Sequence, residues 1–330
     1  MRSLRLLALL ATSVILIAAC SDVGSLRSTK PLLSTVQDYE LLLVGNLEAD
    51  YIGDENCLNK CHVHDQISRD FKLSIHGDQI SAETGLPLVN CESCHGPGSL
   101  AVANIGPENV CDNKSLLPLH DFPAAAQALI CLKCHSAAST PNLTNWNSSI
   151  HATNEVSCFS CHKLHKGSQQ KLGRNEQYEA CIECHSRVEM EFTQFSHHPV
   201  PEHKMACTDC HDPHNSSNST NLRGIQIKAV CTKCHMEYQG PFVYEHADVT
   251  EDCSVCHSPH GSPNDNLLEV GEPFLCLQCH AGHNSGFMAA GALHDTSRKQ
   301  AFYSRCSDCH SAVHGTDTPT VYGEGSFLAR

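Results

Sequence analysis

Nine times along this chain two cysteines stand two residues apart with a histidine directly after the second. The blocks are Cys91–His95, Cys131–His135, Cys158–His162, Cys181–His185, Cys207–His211, Cys231–His235, Cys253–His257, Cys276–His280 and Cys306–His310. A tenth block, Cys57-Leu58-Asn59-Lys60-Cys61-His62, has three residues between its cysteines but keeps Cys61 and His62 adjacent. Two thiols at this spacing can add across the two vinyl groups of a porphyrin, and the adjoining histidine is placed to be the proximal ligand of its iron. The expected attachment cysteines are Cys57, Cys61, Cys91, Cys94, Cys131, Cys134, Cys158, Cys161, Cys181, Cys184, Cys207, Cys210, Cys231, Cys234, Cys253, Cys256, Cys276, Cys279, Cys306 and Cys309. The expected proximal ligands are His62, His95, His135, His162, His185, His211, His235, His257, His280 and His310. For the irregular block alone, a zinc or structural site built from Cys57, Cys61, His62 and His64 is the competing reading.

Of 24 histidines, ten are thereby used and fourteen remain. Methionine is the usual alternative sixth ligand, yet the chain has only five, one of them the initiator. Bis-histidine ligation of ten covalently bound haems c is the economical reading. His76, His151 and His197 each lie five residues after an aromatic (Phe71, Trp146, Phe192), and His246 lies four after Phe242. A second class, His165, His214 and His260, follows a proximal histidine by three residues, too short a segment to reach the opposite face of the same iron. Histidines of this class must serve a different haem, tying neighbours together. With His198, His294 and His314 these make the ten expected distal ligands; His64, His120, His203 and His283 are passed over as surface residues.

These groups must be positioned by a repeating scaffold. Cys158, Cys207, Cys253 and Cys306 recur at intervals of 49, 46 and 53 residues, and Cys181, Cys231 and Cys276 at 50 and 45. Such self-similarity marks an array of like units. The expected fold class is multihaem cytochrome c: mostly coil with short α-helices, little or no β, and an elongated haem array in place of a conventional core. With aromatics at 5% and one Trp in 330 residues, side chains alone supply little apolar mass. The apo chain is expected to be largely unfolded, cofactor binding energy being folding energy. A net charge of −14 excludes a nucleic-acid partner, which needs clustered Lys and Arg.

Arg2 and Arg5 precede a fourteen-residue apolar run, Leu6–Ala19, which fits a secretory signal peptide. The run is short for a membrane span of about 20 residues. It ends Ile17-Ala18-Ala19-Cys20, like a bacterial lipobox, with Cys20 lipidated after removal of residues 1–19; Ser21 in the next position favours the outer membrane. Residues 20–48 read as a lipidated N-terminus and tether in which Tyr39–Leu47 has the composition of a short helix. Residues 49–145 form an irregular trihaem part, and 146–330 the repeated dihaem modules with seven haems. Cys111, in neither a block nor the lipobox, reads as a spare thiol.

The chain resembles the periplasmic decahaem cytochromes of DmsE/MtrA type over about Ala49 to Arg330. The resemblance rests on Ala49-Asp50-Tyr51-Ile52-Gly53, Cys94-His95-Gly96-Pro97-Gly98-Ser99, Ser196-His197-His198-Pro199-Val200, His211-Asp212-Pro213-His214, Glu245-His246, and the ending with His314-Gly315, Phe327 and Arg330. It implies a nearly linear haem wire through the periplasm, fed by a quinol-linked or periplasmic cytochrome. It also implies an outer-membrane β-barrel or surface multihaem cytochrome as the acceptor. The three-residue spacing at Cys57/Cys61 and the lipobox depart from the family pattern. The expected function is electron transfer toward the outer membrane or extracellular acceptors, without catalysis. A reductase of a small oxyanion, which needs an iron with an open position, and a subunit of an extracellular cytochrome filament are the alternatives.

Overall fold

The computed structural model describes residues 43–63, 65–103, 105–106, 110–135, 138–165, 172–215, 220–246, 250–280 and 304–318. Cys20, the apolar leader, His64, His283 and His294 lie outside the described residues. The chain is mostly coil with short helices; among the described residues there is no strand, only isolated bridges such as Ser196 to Ser262 and Tyr244 to Thr316.

The helices obey a rule set by the cysteine blocks. Odd-numbered blocks end a helix. Ala124–Leu132 runs into the third block, Arg174–Ile182 into the fifth, Ile227–Cys231 into the seventh and Phe274–Leu277 into the ninth. Even-numbered blocks start one, on a local cap. Asn90 accepts from the Ser93 amide at 2.8 Å ahead of the second block, the Asp209 carboxylate accepts from the Ala206 amide at 2.9 Å at the sixth, and Asp252 accepts from the Ser254 amide at 2.9 Å at the eighth. A polar side chain taking up a free amide of the first turn is worth about 1 kcal/mol. Nothing prolongs these turns, because no apolar stripe at helical spacing follows them. In every regular block from the third to the tenth the histidine amide bonds back to the carbonyl of the first cysteine, as at His162 to Cys158 (2.8 Å) and His185 to Cys181 (3.0 Å). The irregular first block, on the helix Asp54–Lys60, closes the same way, His62 to Cys57 at 3.0 Å.

Side chains build almost no core. The buried apolar residues are scattered and mostly small (Ala101, Ala126, Ala128, Ile130, Trp146, Phe192, Val230), and the largest fully buried side chains are the serines Ser74, Ser149 and Ser262. Phe195, Ile225 and Phe274 stay exposed at 78%, 90% and 66%. Of Tyr39–Leu47, expected to be helical, the described part, Leu43–Leu47, forms turns instead. Gly45 lies at φ +88° with the Pro97 ring where a Cβ would stand, and the Lys133 ammonium donates to the Leu43 carbonyl at 3.0 Å.

Candidate functional site: paired histidines along a row of thiols

The first cysteines of consecutive blocks meet in pairs. Hydrogen-bonded thiols join Cys57 to Cys91, Cys131 to Cys158, Cys181 to Cys207, Cys231 to Cys253 and Cys276 to Cys306. The second cysteines meet one step out of phase. Cys94 feels the charge of Cys134, Cys161 that of Cys184, Cys210 that of Cys234 and Cys256 that of Cys279. Alternation of the two contacts strings all ten blocks into one row whose spatial order is the chain order. Burial and the neighbouring thiol push Cys231 and Cys276 up to about 12. The hydrogen bond from Cys181 lowers Cys207 to about 7.

Side chains clamp some of these pairs. Asp54 accepts from the Cys91 amide at 2.7 Å, Gln177 from the Thr208 amide and hydroxyl at 3.3 and 2.9 Å, and Glu272 from the Ser307 amide and hydroxyl at 2.8 Å each. In each case a residue three or four positions before an odd block's first cysteine caps the start of the next block. At the first pair the buried Glu92 carboxylate also gathers the amides of Ile52, Gly53 and Gly98 at 2.8–2.9 Å.

Against this row the other histidines face the block histidines. Ring centres lie 6.0 Å apart for His76 and His135, 6.1 Å for His165 and His95, and 6.1 Å for His214 and His162. The separations are 6.1 Å for His151 and His185, 6.0 Å for His260 and His211, and 6.3 Å for His198 and His235. They are 6.0 Å for His314 and His257 and 5.8 Å for His246 and His280. Two metal–imidazole bonds of about 2 Å end to end, plus the reach from each nitrogen to its ring centre, give about 6 Å. The donor set fits an iron held between two imidazoles.

The pairing follows a lattice. A histidine upstream of an even block serves the next odd block: His76 the third, His151 the fifth, His198 the seventh and His246 the ninth. A histidine downstream of an even block serves the previous even block: His165 the second, His214 the fourth, His260 the sixth and His314 the eighth. None of the latter faces the histidine three or four residues before it.

Ring nitrogens are tuned to match. Nδ1 of His151, His198, His211 and His257 is bonded to the carbonyls of Pro213, Pro259, Thr220 and Asn266 at 2.6–3.0 Å, and that of His260 to Glu191 at 2.9 Å. A ring that donates its Nδ1 proton keeps Nε2 for a metal. Burial holds His95, His211, His214 and His314 below the usual imidazole range, so these rings are neutral at neutral pH.

Some of the residues singled out in the sequence are placed otherwise. Among the described residues His197 stands in no facing histidine pair; its ring is held by the Gln194 carbonyl at 2.8 Å and Glu202 at 3.1 Å, and its neighbour His198 takes the pairing position. Cys111 is not placed as a spare thiol: it is paired with Cys61, their Cα atoms 5.9 Å apart. Among the described residues no ring pairs with His62, whose Nδ1 is bonded to Asp65 at 2.5 Å; His62, His120 and His165 all act electrostatically on His95 and so share one neighbourhood.

The chain's sequence matches that of known multihaem proteins. Over 286 residues, 84% of this chain, it is 34% identical to the multihaem cytochrome MtrA of Shewanella baltica (strain OS185), covering 81% of that protein. The chain belongs to the MtrA family of multihaem c-type cytochromes. Residues 197–240 and 246–285 match the doubled CXXCH motif, and residues 91–173 the cytochrome c-type protein NrfB-like family. Membership brings covalently bound haem c and electron transfer with it. Among the described residues no helix is long and apolar enough to cross a membrane.

The clamp residues Asp54, Gln177 and Glu272 were missed from sequence; a polar residue three or four places before an odd block is the only signal they leave.

Proposed function

We propose that this protein is a decahaem electron carrier, a conduit through the periplasm toward the outer membrane or an extracellular acceptor, held by a lipid on Cys20. The observation that carries the reading is the set of eight facing histidine pairs, drawn from different parts of the chain and spaced for a six-coordinate iron. Bound haem supplies one-electron exchange, its potential set by axial ligands, burial and hydrogen bonds. The chain's own part would be to hold each haem iron between two imidazoles, leaving no place for substrate, and to keep successive attachment sites in contact. The carbonyl and carboxylate partners at Nδ1 orient the rings and raise their basicity, which favours low potentials.

Beyond these eight pairs the two ends of the row are assigned separately. His120, in the neighbourhood of His62, is assigned to the first block, and His294 to the tenth. The donor is read as a quinol-linked or periplasmic cytochrome, and the acceptor as an outer-membrane barrel or surface multihaem cytochrome. Stepwise reductive titration of the purified holoprotein tests the reading. Uptake of about ten electrons per chain, with no carbon monoxide adduct in the reduced state, supports it. A stoichiometric carbon monoxide adduct would favour a reductase.

A further inference from the structure

The first block differs from the other nine, and the structure gives the difference a use. Two separate sets of contacts hold its surroundings in place. On one side the helix Asp54–Lys60 is fixed to the second block by Asp54 on the Cys91 amide and by Glu92 on the amides of Ile52 and Gly53. On the other side the strand of coil carrying Cys111 is fixed by the Val110 carbonyl accepting from Gly106 at 2.8 Å and by the Asp112 amide donating to Ala101 at 3.3 Å. Between these anchors Cys57 occupies the position that first cysteines take throughout the row, against Cys91. Cys61, moved on by the extra residue, meets Cys111 with Cα atoms 5.9 Å apart and is bonded to it across 50 residues of chain. That separation is the ordinary one for a disulfide. The count of cysteines agrees: Cys111 is the one thiol without a block or lipobox, and Cys61 belongs to the one block of altered spacing.

We propose that the mature protein carries a Cys61–Cys111 disulfide and that its first haem is attached by Cys57 alone. The inference rests on the haem-bearing reading of the blocks. The two bonds form by different chemistry. At Cys57 the S–H adds across one vinyl group: sulfur bonds one vinyl carbon, the proton goes to the other, and nothing is oxidised. At Cys61 and Cys111 the two S–H bonds are lost and one S–S bond forms. Two electrons and two protons pass to a disulfide-bearing thiol oxidant of the export compartment, which becomes a dithiol. A sulfur in that disulfide has no S–H left to add to the second vinyl. His62 remains adjacent and keeps its place as proximal ligand.

The sequence offers a direct test, because Lys60 lies between Cys57 and Cys61. Native holoprotein, alkylated without reduction and then cut after lysine and arginine, is analysed by mass spectrometry before and after a thiol reductant. The expected result is haem on the peptide that ends at Lys60, and a peptide beginning at Cys61 that is haem-free and linked to the peptide containing Cys111. Reduction should release that link and free two thiols. A haem bridging the Cys57 and Cys61 peptides through reduction, with Cys111 alkylated from the start, overturns the proposal. So does an intact disulfide beside a Cys57 peptide without haem. Absence of haem from all ten blocks would instead overturn the reading on which the proposal rests. In Cys111→Ser protein the Cys61 peptide should become alkylatable or haem-bridged; an unchanged haem-free, blocked Cys61 would also count against the proposal.

Discussion

At the scale of single residues, adjacent histidines separate ligand from neighbour. His197 and His198 look interchangeable in the sequence, and the aromatic-plus-five spacing favours His197. The structure reverses the order, because the backbone turn at Gln194–His198 gives His197 to Glu202 and presents His198 to His235. His198→Ala should convert one haem in ten to a high-spin form, visible by electron paramagnetic resonance, while His197→Ala leaves all low-spin. High-spin iron from the second variant and not the first would refute the assignment. His120→Ala, assigned here to the first block, should likewise give one high-spin centre. The glutamate at the second block is a different kind of residue, structural and buried at 3% exposure. Removing a buried acceptor from several amides costs about 1–3 kcal/mol per amide left without a partner. Glu92→Ala should therefore lower the denaturant midpoint measured on residues 50–100 by hydrogen exchange, and leave the C-terminal blocks unaffected.

At the scale of elements, the row is built by capped single turns and by glycines that let the chain pass close. Two of the aromatics found by spacing pack on rings from the following repeat: Trp146 lies 6.1 Å from His214 and Phe192 5.5 Å from His260, and Tyr238, outside that set, lies 4.2 Å from His314. The glycine after the last two of these histidines has no room for a side chain. A Cβ at Gly261 would stand 1.8 Å from the Glu191 carbonyl oxygen, and one at Gly315, at φ +118°, would stand 2.4 Å from the Phe242 ring. Gly261→Ala should pull the bridge between Ser196 and Ser262 apart and take His260 out of line with His211. The expected readout is a high-spin centre and a lowered thermal midpoint; unchanged spectra and stability would mean the segment adjusts freely. Much of this level was legible beforehand. The cysteine blocks, the alternation of two histidine classes and the rule that a histidine three residues on serves another site all follow from spacing. The partners of each histidine did not, because they join segments 34 to 70 residues apart whose approach is set by the row itself. The short helices were legible as a class, since nothing in the pattern extends them; of the helix expected at Tyr39–Leu47, the described part, Leu43–Leu47, forms turns, because Gly45 and Pro97 pack there instead.

At the scale of the molecule, the sparse buried apolar set and the fully buried serines say that macrocycles, not side chains, must hold the fold. Chain expressed without haem attachment should show little helix by circular dichroism and be cut rapidly by protease, whereas the holoprotein resists; a folded, protease-resistant apo chain would contradict this. The fold class and the haem chemistry were readable from cysteine and histidine spacing, and the family from the residues around the blocks, such as Ala49–Gly53 and Ser196–Val200. The exception is the first block, where an added residue redirects Cys61 to Cys111, a pairing no local spacing reveals. The central claim is a row of ten irons, each held between two imidazoles. It is tested most directly by intact mass of the mature holoprotein, read together with its electron paramagnetic resonance spectrum. Ten haem adducts per chain and an oxidised spectrum of low-spin centres only are expected; clearly fewer adducts, or a dominant high-spin signal, would contradict the proposal.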